Sequence, residues 1–341
     1  MRSGRILTGL AFGLALLMGG IAEAATTVRF ATTIPEGENP ETKAMKALKS
    51  FIELRSGGEL QVELFFGGAL GGDREILEQV QNNALQIAAL ADGAVANFYP
   101  DIQVLAIPYL FDSSAHAAAF LNDSPYMKAI YKDMMAKSGL RTVAVAEGGF
   151  RNLTNNVRPI HGPDDMKGLK MRTMESPVFM AFMKSLGAAA TPIAFNELIM
   201  SLKQGVVDGQ ENAANTVLNY GLAEVQKFMS LNEHIYSPVL TIVNEDFLGG
   251  LDDGQRRVVI DGMKLYATVN SAEKLANLNR DLAALKGKGM EIYVTSPEEK
   301  AKFRAITQPA VIEFIAGRVG KDKVDALLAA VDDTRKELYA K

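Results

Sequence analysis

The stretch from residue 252 to residue 286 restricts most strongly how this chain can fold. It contains no proline, and apolar side chains recur along it at helical spacing, among them Val259, Met263 and Tyr266. An uninterrupted helix of this length would be about 50 Å long, because each residue adds about 1.5 Å. Helices confined to one globular domain are usually shorter, so the sequence predicts a helix at about 252–286 that spans more than one domain.

Strand and helix patterns alternate twice in the part of the chain that precedes this helix. The first series has strand-like runs at 27–32, 60–66 and 87–91, separated by helical patterns at 41–55 and from Asp73, the expected N-cap, onward. Such alternation predicts a parallel sheet with helices on both faces.

A second series begins near residue 149, after a helical region at 113–138, a strand at 140–147 and the glycine pair Gly148-Gly149. Its predicted elements are strands at about 168–173, 191–194 and 206–212 and helices at 177–186 and 196–203. We therefore expect one lobe formed by 25–148 with about 237–270, and another formed by 149–236 with about 271–341. Connecting segments near 147–150 and 237–239 are the expected hinge.

The first 24 residues have the layout of a secretory signal peptide. Arg2 and Arg5 precede an apolar run at 7–18, and Ala22-Glu23-Ala24 provides a small-x-small cleavage site. The alternative is an uncleaved N-terminal anchor, for which the apolar run is short. The sequence thus predicts a periplasmic protein that is cleaved after Ala24 and has no stable membrane insertion.

Composition argues against several classes of function. The chain has no cysteine, so a disulfide framework, a thiolate metal site and a lipid-anchored export signal are excluded. His116, His161 and His234 are isolated from one another, and no metal site or cofactor is predicted. The formal net charge is −4 and no Lys/Arg-rich tract occurs, which argues against nucleic acid as a partner. We expect a monomer.

The glycine-rich run "GGALGGDRE" (67–75) is not a phosphate loop, because Asp73 occupies the position that needs a lysine. The run "GLKMRTMESP" (168–177) is more informative. It predicts a strand that Pro177 ends, with Arg172 near its exit, where open α/β sheets form their ligand crevices. A solvated surface arginine is the alternative.

Three stretches of the chain read "GFRNLTNNVRPIHGPDDMKGLKMRTMESPVFMAFMKSLGAAATPIAFNELIMSLKQGVVDGQEN", "GGALGGDREILEQVQ" and "LAIPYLF". Together they closely resemble the extracytoplasmic solute-binding proteins of TRAP transporters, the DctP family. The resemblance implies an α/β, two-lobed periplasmic binding protein fold, with two mixed sheets flanked by helices. It also implies capture of a small organic acid, such as a C4-dicarboxylate or a sugar acid, and delivery to a membrane permease without catalysis.

Several site residues follow from the resemblance. Arg172, in GLKMRT, matches the arginine that grips the ligand carboxylate as a bidentate fork, and Arg151, in GFRNLTN, matches a second arginine that approaches it. Asn212, in DGQEN, matches an asparagine that completes the carboxylate cage, and Glu75, in GGDRE, resembles an acid at the far end of the ligand. The remaining candidates are Asn39, Phe195, Tyr236 and Asn215.

Structural roles are the alternatives for most of these residues. Arg151 could form an inter-strand ion pair, Glu75 suits the first turn of a helix, and Asn39 could hold its loop. Phe195 and Tyr236 could be ordinary core. The chain has no tryptophan, and cationic osmolytes are often boxed by tryptophan, so hydroxylated or dicarboxylic acids are favoured.

Two other functions remain open at this point. One is a periplasmic enzyme that acts on a carboxylate, with Glu75 as base, although no second acid, histidine or metal supports it. The other is a ligand-sensing module for a membrane receptor, which would bind its ligand in the same way.

Overall fold

The computed structural model describes residues 25–340 and shows two mixed β-sheets flanked by helices, which confirms the predicted α/β class. The predicted signal peptide, residues 1–24, lies outside the described residues. Among the described helices, none combines the length and the apolar character that crossing a membrane requires.

The strands of the described chain are, in sequence order, β1 Thr26–Ala31, β2 Leu60–Phe65, β3 Ile87–Ala91, β4 Leu140–Ala146, β5 Phe150–Asn155, β6 Lys170–Thr173, β7 Ala189–Pro192, β8 Gly209–Asn212, β9 Phe228–Tyr236, β10 Val239–Asn244 and β11 Glu291–Tyr293. The α-helices are α1 Pro40–Arg55, α2 Asp73–Gln81, α3 Asp92–Val95, α4 Ser114–Asp123, α5 Pro125–Ser138, α6 Pro177–Ser185, α7 Leu198–Lys203, α8 Ala214–Asn219, α9 Glu245–Gly250, α10 Asp253–Gly287, α11 Pro297–Val319 and α12 Lys321–Tyr339.

The first sheet has the order β2-β1-β3-β10-β4. Strands β1, β2 and β3 run parallel, as predicted, and β10 enters from the second half of the chain antiparallel to both of its neighbours. The second sheet has the order β11-β9-β5-β8-β6-β7. There β6 runs parallel to β7 and β8, whereas β5 runs antiparallel to β8 and β9.

Helix α10 confirms the predicted long helix: it has 35 residues, and the Asp252 side chain caps its first turn. It packs along α1, where an added Cβ on Gly262 would lie 2.8 Å from Cγ1 of Ile52. A side chain at position 262 would therefore force the two helices apart. Helix α10 also packs against β4 of the first sheet and α8 beside the second sheet, so it joins both halves of the molecule.

Two short segments connect the sheets, between β4 and β5 and between β9 and β10. They pass so close together that a Cβ on Gly148 would lie 1.8 Å from the Ser237 carbonyl oxygen, which explains the glycine. The C-terminal helices add a connection that the sequence did not predict, because α11 packs on α6 and α12 on α4.

Local differences from the sequence prediction have simple causes. The predicted helical region 113–138 is split into α4 and α5, because Ser124 caps α5 and Pro125 begins it. The expected N-cap role of Asp73 is wrong: Gly72 occupies the cap position, and Asp73 is the first helical residue. Its carboxylate instead accepts a hydrogen bond from Thr33, 2.7 Å away.

Candidate functional site

The topology of the second sheet brings three polar residues to one edge. Strands β6 and β8 are parallel, so their carboxyl ends, with Arg172 and Asn212, lie side by side. Strand β5 runs the opposite way between β8 and β9, so Arg151 near its beginning reaches the same edge. The corresponding edge of the first sheet is formed by the ends of β1 and β3 and the start of β10.

Residues from both edges line one cleft. Concave sites with a few convergent polar groups are the usual form of small-molecule sites. Its polar and charged lining residues are Thr32, Thr33, Glu41, Asp73, Arg151, Arg172, Asn212, Thr216, Ser237 and Lys274.

Arg172 is 1% exposed, yet its guanidinium is only partly bonded. Its Nε donates to the Ile193 carbonyl oxygen at 2.9 Å, and its buried Nη1 has no hydrogen-bond partner among the described residues. Burial, partly offset by the charge of Glu211, lowers the pKa of Arg172 to about 10, so it remains a cation at neutral pH. A buried, partly bonded guanidinium is suited to a planar carboxylate that accepts two parallel hydrogen bonds.

Arg151, on the neighbouring part of the same edge, already has a carboxylate partner. Its Nε and Nη2 both donate to the Glu211 carboxylate, and Nη2 also donates to the Glu211 carbonyl oxygen at 2.7 Å. His234 Nε2 lies 3.2 Å from the same carboxylate. Although burial alone would raise it, the charge of Arg151 and the contact with His234 lower the pKa of Glu211 to about 2. The pair therefore stays ionised.

Phe195 and Asn212 complete this side of the cleft. The Arg172 guanidinium carbon lies 5.7 Å from the centre of the Phe195 ring, which in turn stacks on Tyr220 with ring centres 4.1 Å apart. A cation within about 6 Å of the centre of an aromatic ring is attracted by the electron-rich face of the ring. The Asn212 Nδ2 donates to Gln210 Oε1 at 2.6 Å.

The wall formed by the first sheet carries carboxylates. Asp73, at the start of α2, and Thr33, just after β1, both line the cleft. Burial raises the pKa of Asp73, while the hydrogen bond from Thr33 and the charge of Arg172 oppose that rise. Asp73 and Arg172 therefore lie near enough to interact electrostatically without forming a salt bridge within 4.0 Å.

A buried ion pair joins α1 to the long helix beside the cleft. Lys274 Nζ lies 2.7 Å from Glu41 Oε1, and both side chains are nearly inaccessible to solvent. The pair places Lys274, from the middle of α10, against the first turn of α1. The cleft consequently contains a third cation whose charge is already matched by a protein carboxylate.

The sequence profile of the family described as bacterial extracellular solute-binding protein, family 7 (DctP), matches residues 30–317. The chain belongs to this family. It is 36% identical over 313 residues to a solute-binding protein of Verminephrobacter eiseniae, with 92% of each chain covered.

Solved structures with a similar fold are also solute-binding proteins. The sugar acid binding protein DctPAm from Advenella mimigardefordensis, in complex with galactonate, has a TM-score of 0.86 and 28% identity, with 91% of this chain and 99% of that chain covered. A TRAP periplasmic solute-binding protein from Polaromonas sp. JS666, bound to D-erythronate, has a TM-score of 0.83 and 30% identity, with 89% and 98% covered. The predicted resemblance is confirmed.

Members of this DctP family are solute-binding components of transport systems and not enzymes, which answers the enzymatic alternative. Among the described residues, no group of three or more histidine, aspartate or glutamate side chains is arranged to hold a metal ion. The chemistry to explain in this DctP protein is therefore recognition of a solute.

Four predicted site residues, Arg172, Arg151, Asn212 and Phe195, line the cleft together. The alternative role considered for Arg151, an inter-strand ion pair, is also present, since Glu211 lies on the adjacent strand β8. A residue can hold such a pair and still present its remaining nitrogen to the cleft.

The other four predicted residues lie outside the cleft lining. Glu75 is exposed on α2, and Asn39 caps α1 by accepting a hydrogen bond from the Thr42 amide at 2.8 Å. The Tyr236 hydroxyl donates to Glu147 Oε2 at 2.9 Å. Asn215 lies in the first turn of α8, and its buried Nδ2 has no hydrogen-bond partner among the described residues.

Sequence reasoning missed the carboxylates of the first wall and the lysine of the long helix. In the sequence-based prediction, Asp73 is a helix N-cap and evidence against a phosphate loop, but not a residue of the site. Its place after β2 is itself a signal, because that edge of the sheet forms the crevice. Glu41 and Lys274 are 233 positions apart in the sequence and meet only because α1 packs on α10. Nothing in the local sequence predicts that contact.

Asp92, which is bonded to the cleft residue Ser237 without lining the cleft itself, was not predicted either. It begins α3 directly after β3 and is 1% exposed. Its Oδ1 accepts a hydrogen bond from Ser237 at 2.7 Å, and its Oδ2 has no partner among the described residues. Burial, partly offset by Ser237 and by the charge of Arg151, raises the pKa of Asp92 to about 6.

Proposed function

We propose that this protein is the periplasmic solute-binding component of a TRAP transporter and that Arg172 holds the carboxylate of a small organic acid in the cleft. The observation that carries the proposal is the buried guanidinium of Arg172, whose Nη1 has no partner among the described residues. Leaving a buried charged donor without a partner is unfavourable, so the site gains most from an anionic acceptor.

Neighbouring groups support the same assignment. Arg151 is bonded to Glu211 through Nε and Nη2, and Asn212 lies beside it on the same edge. Both residues can add a donor to a carboxylate that Arg172 holds. The related proteins that bind galactonate and D-erythronate indicate that this fold accepts organic acids.

The ligand would be enclosed between two lobes that close about the segments 147–150 and 237–239 and would then be delivered to membrane permease subunits. Residues 1–24 would direct the chain to export and be removed by cleavage after Ala24. The alternative of a sensing module uses the same binding step and differs only in the membrane partner.

A thermal-shift screen of small organic acids tests the binding proposal. The panel contains monocarboxylates, C4-dicarboxylates and sugar acids. At about 1,000 times its dissociation constant a ligand adds roughly 4 kcal/mol to the free energy of unfolding, which raises the midpoint by several degrees. Flat traces across the whole panel would contradict the proposal. Uptake that requires the permease, measured with an acid found in the screen, then separates transport from sensing.

A further inference from the structure

The charges that line the cleft are unequally matched. Three lining residues are cations and two are carboxylates. Arg151 is bonded to Glu211, and Lys274 is bonded to Glu41 at 2.7 Å. Arg172 is the one lining cation that forms no salt bridge within the described residues. The cleft can therefore match one ligand carboxylate without breaking an existing ion pair.

Among the two carboxylates that line the cleft, Asp73 is the one that forms no salt bridge with a cation within the described residues. One of its oxygens accepts a hydrogen bond from Thr33 at 2.7 Å, and the other accepts none from the described residues. An ionised carboxylate only accepts hydrogen bonds, so it favours a ligand group that donates. A ligand hydroxyl meets that requirement, whereas a second ligand carboxylate would add a like charge.

We propose that the ligand is a polyhydroxylated monocarboxylate and that this site rejects dicarboxylates of the same chain length. This inference rests on the function proposed above. Arg172 holds the one carboxylate, and Asp73 accepts a hydrogen bond from a ligand hydroxyl. Glu41 neutralises Lys274, so the lysine offers no second anion site.

Rejection of a dicarboxylate has two physical causes. On binding, its second carboxylate loses its hydration and forms no salt bridge, because no second lining cation lacks a partner within the described residues. An uncompensated buried charge is strongly unfavourable. It must also lie in a cleft that contains Asp73 and Glu41, and like charges repel in a water-poor site. Replacing that carboxylate by a primary alcohol removes both effects at constant chain length.

Two matched pairs of acids test the proposal by calorimetry on the full mature chain. The pairs are erythronate with meso-tartrate and galactonate with galactarate, and each pair differs only in whether the terminal carbon is an alcohol or a carboxylate. The monocarboxylate of at least one pair should bind about 100-fold more tightly than its dicarboxylate. A preference below about threefold, or a preference for the dicarboxylate, would overturn the inference.

Asp73→Asn tests the cause of the preference. The amide keeps the shape of the side chain and removes its charge, so the preference should fall at least about tenfold. Glu78→Gln is the matched control, because Glu78 lies on the same helix, outside the cleft, and half-exposed. It should leave the preference unchanged. A preference that Asp73→Asn leaves intact would overturn the role of Asp73.

Glu41→Gln tests whether the ion pair with Glu41 prevents Lys274 from binding a second ligand carboxylate. Removing its partner frees Lys274 for a second carboxylate, so binding of the dicarboxylate should improve relative to the monocarboxylate, provided that circular dichroism shows a folded chain. An unchanged ratio in a folded variant would contradict the role given to this ion pair, and Asp73→Asn decides the inference if the variant does not fold. Equal binding of both acids defeats this inference alone, whereas flat traces across the wider acid panel also defeat the proposed function.

Discussion

Arg172 and Arg151 lie at the same edge of the second sheet and differ in what surrounds them. Arg151 donates twice to Glu211, and His234 lies against the same carboxylate. Arg172 is equally buried, but it donates to a backbone carbonyl oxygen and keeps a terminal nitrogen without a partner among the described residues. One arginine is part of a closed ion pair, and the other is an open cation.

This difference separates two uses of the same side chain. A buried pair adds little net stability, but removing one partner is strongly destabilising because the other charge is left alone. A buried cation without a partner is already in that unfavourable state until an anion arrives. We therefore expect substitutions in the Arg151 pair to affect folding and substitutions at Arg172 to affect ligand binding.

The largest expected effect is that of Glu211→Gln on the free energy of unfolding. The substitution keeps the shape of a fully buried side chain and leaves Arg151 without its carboxylate. Urea denaturation of the ligand-free protein should show a loss of about 3–5 kcal/mol. The folded-state pKa of Glu211, about 2, lies below the unfolded value, so its contribution is present at neutral pH and is lost as the pH falls towards 2.

Glu63→Gln is the control for that measurement. Glu63 forms a half-exposed ion pair with Arg29 between β1 and β2. Exposed pairs are screened by solvent, so its loss should change the free energy of unfolding by less than about 1 kcal/mol. Equal losses in the two variants would remove the distinction drawn here between a closed pair and an ordinary surface pair.

Arg172→Met should show the opposite behaviour. Methionine keeps much of the apolar stem and removes a buried cation, so the ligand-free protein should keep its unfolding midpoint or gain stability. Binding of the acid with the largest thermal shift should weaken about thirty- to several-thousand-fold, which corresponds to about 2–5 kcal/mol.

Arg172→Lys sharpens that result. It retains the positive charge but loses the planar fork, so binding should weaken even though net charge is unchanged. If Arg172→Lys and Arg172→Met both bind within about threefold of the parent by calorimetry, then Arg172 is not the group that holds the carboxylate.

Asp92 provides a smaller and pH-dependent comparison with Glu211. The charge of Arg151 lowers the pKa of both carboxylates, but only Glu211 is bonded to it. The pKa of Glu211 is about 2, and that of Asp92, where burial dominates, is about 6. An acid whose pKa is raised by folding binds more protons in the folded state. Its ionisation therefore destabilises the protein as the pH rises from about 4 to about 6, by up to about 3 kcal/mol.

Asp92→Asn imitates the protonated form at every pH. Relative to the parent, the variant should gain up to about 3 kcal/mol in free energy of unfolding between pH 4 and pH 7.5. Denaturation curves at the two pH values give this difference directly. A difference that does not change with pH would show that Asp92 is ionised in the folded protein throughout this range.

Local patterns were sufficient to predict most strands and the long helix, and they placed Arg172 near the exit of a strand, because strand spacing and proline both act within a few residues. The strand does end close by, at Thr173. The role of Arg172 in binding came from the family resemblance, since its local pattern also allowed a solvated surface arginine. The Asp73 contact with Thr33, 40 residues away, and the Lys274 contact with Glu41 depend on tertiary packing. For the same reason, sequence alone left the ion pair of Arg151 as one of two alternatives.

A structure of this protein with its bound acid tests the central claim most directly. We predict one ligand carboxylate whose two oxygens lie about 2.7–2.9 Å from the terminal nitrogens of Arg172, with the Arg151–Glu211 pair unbroken. A carboxylate bound instead to Lys274, after the Glu41 pair has opened, with Arg172 Nη1 still without a partner, would contradict the account.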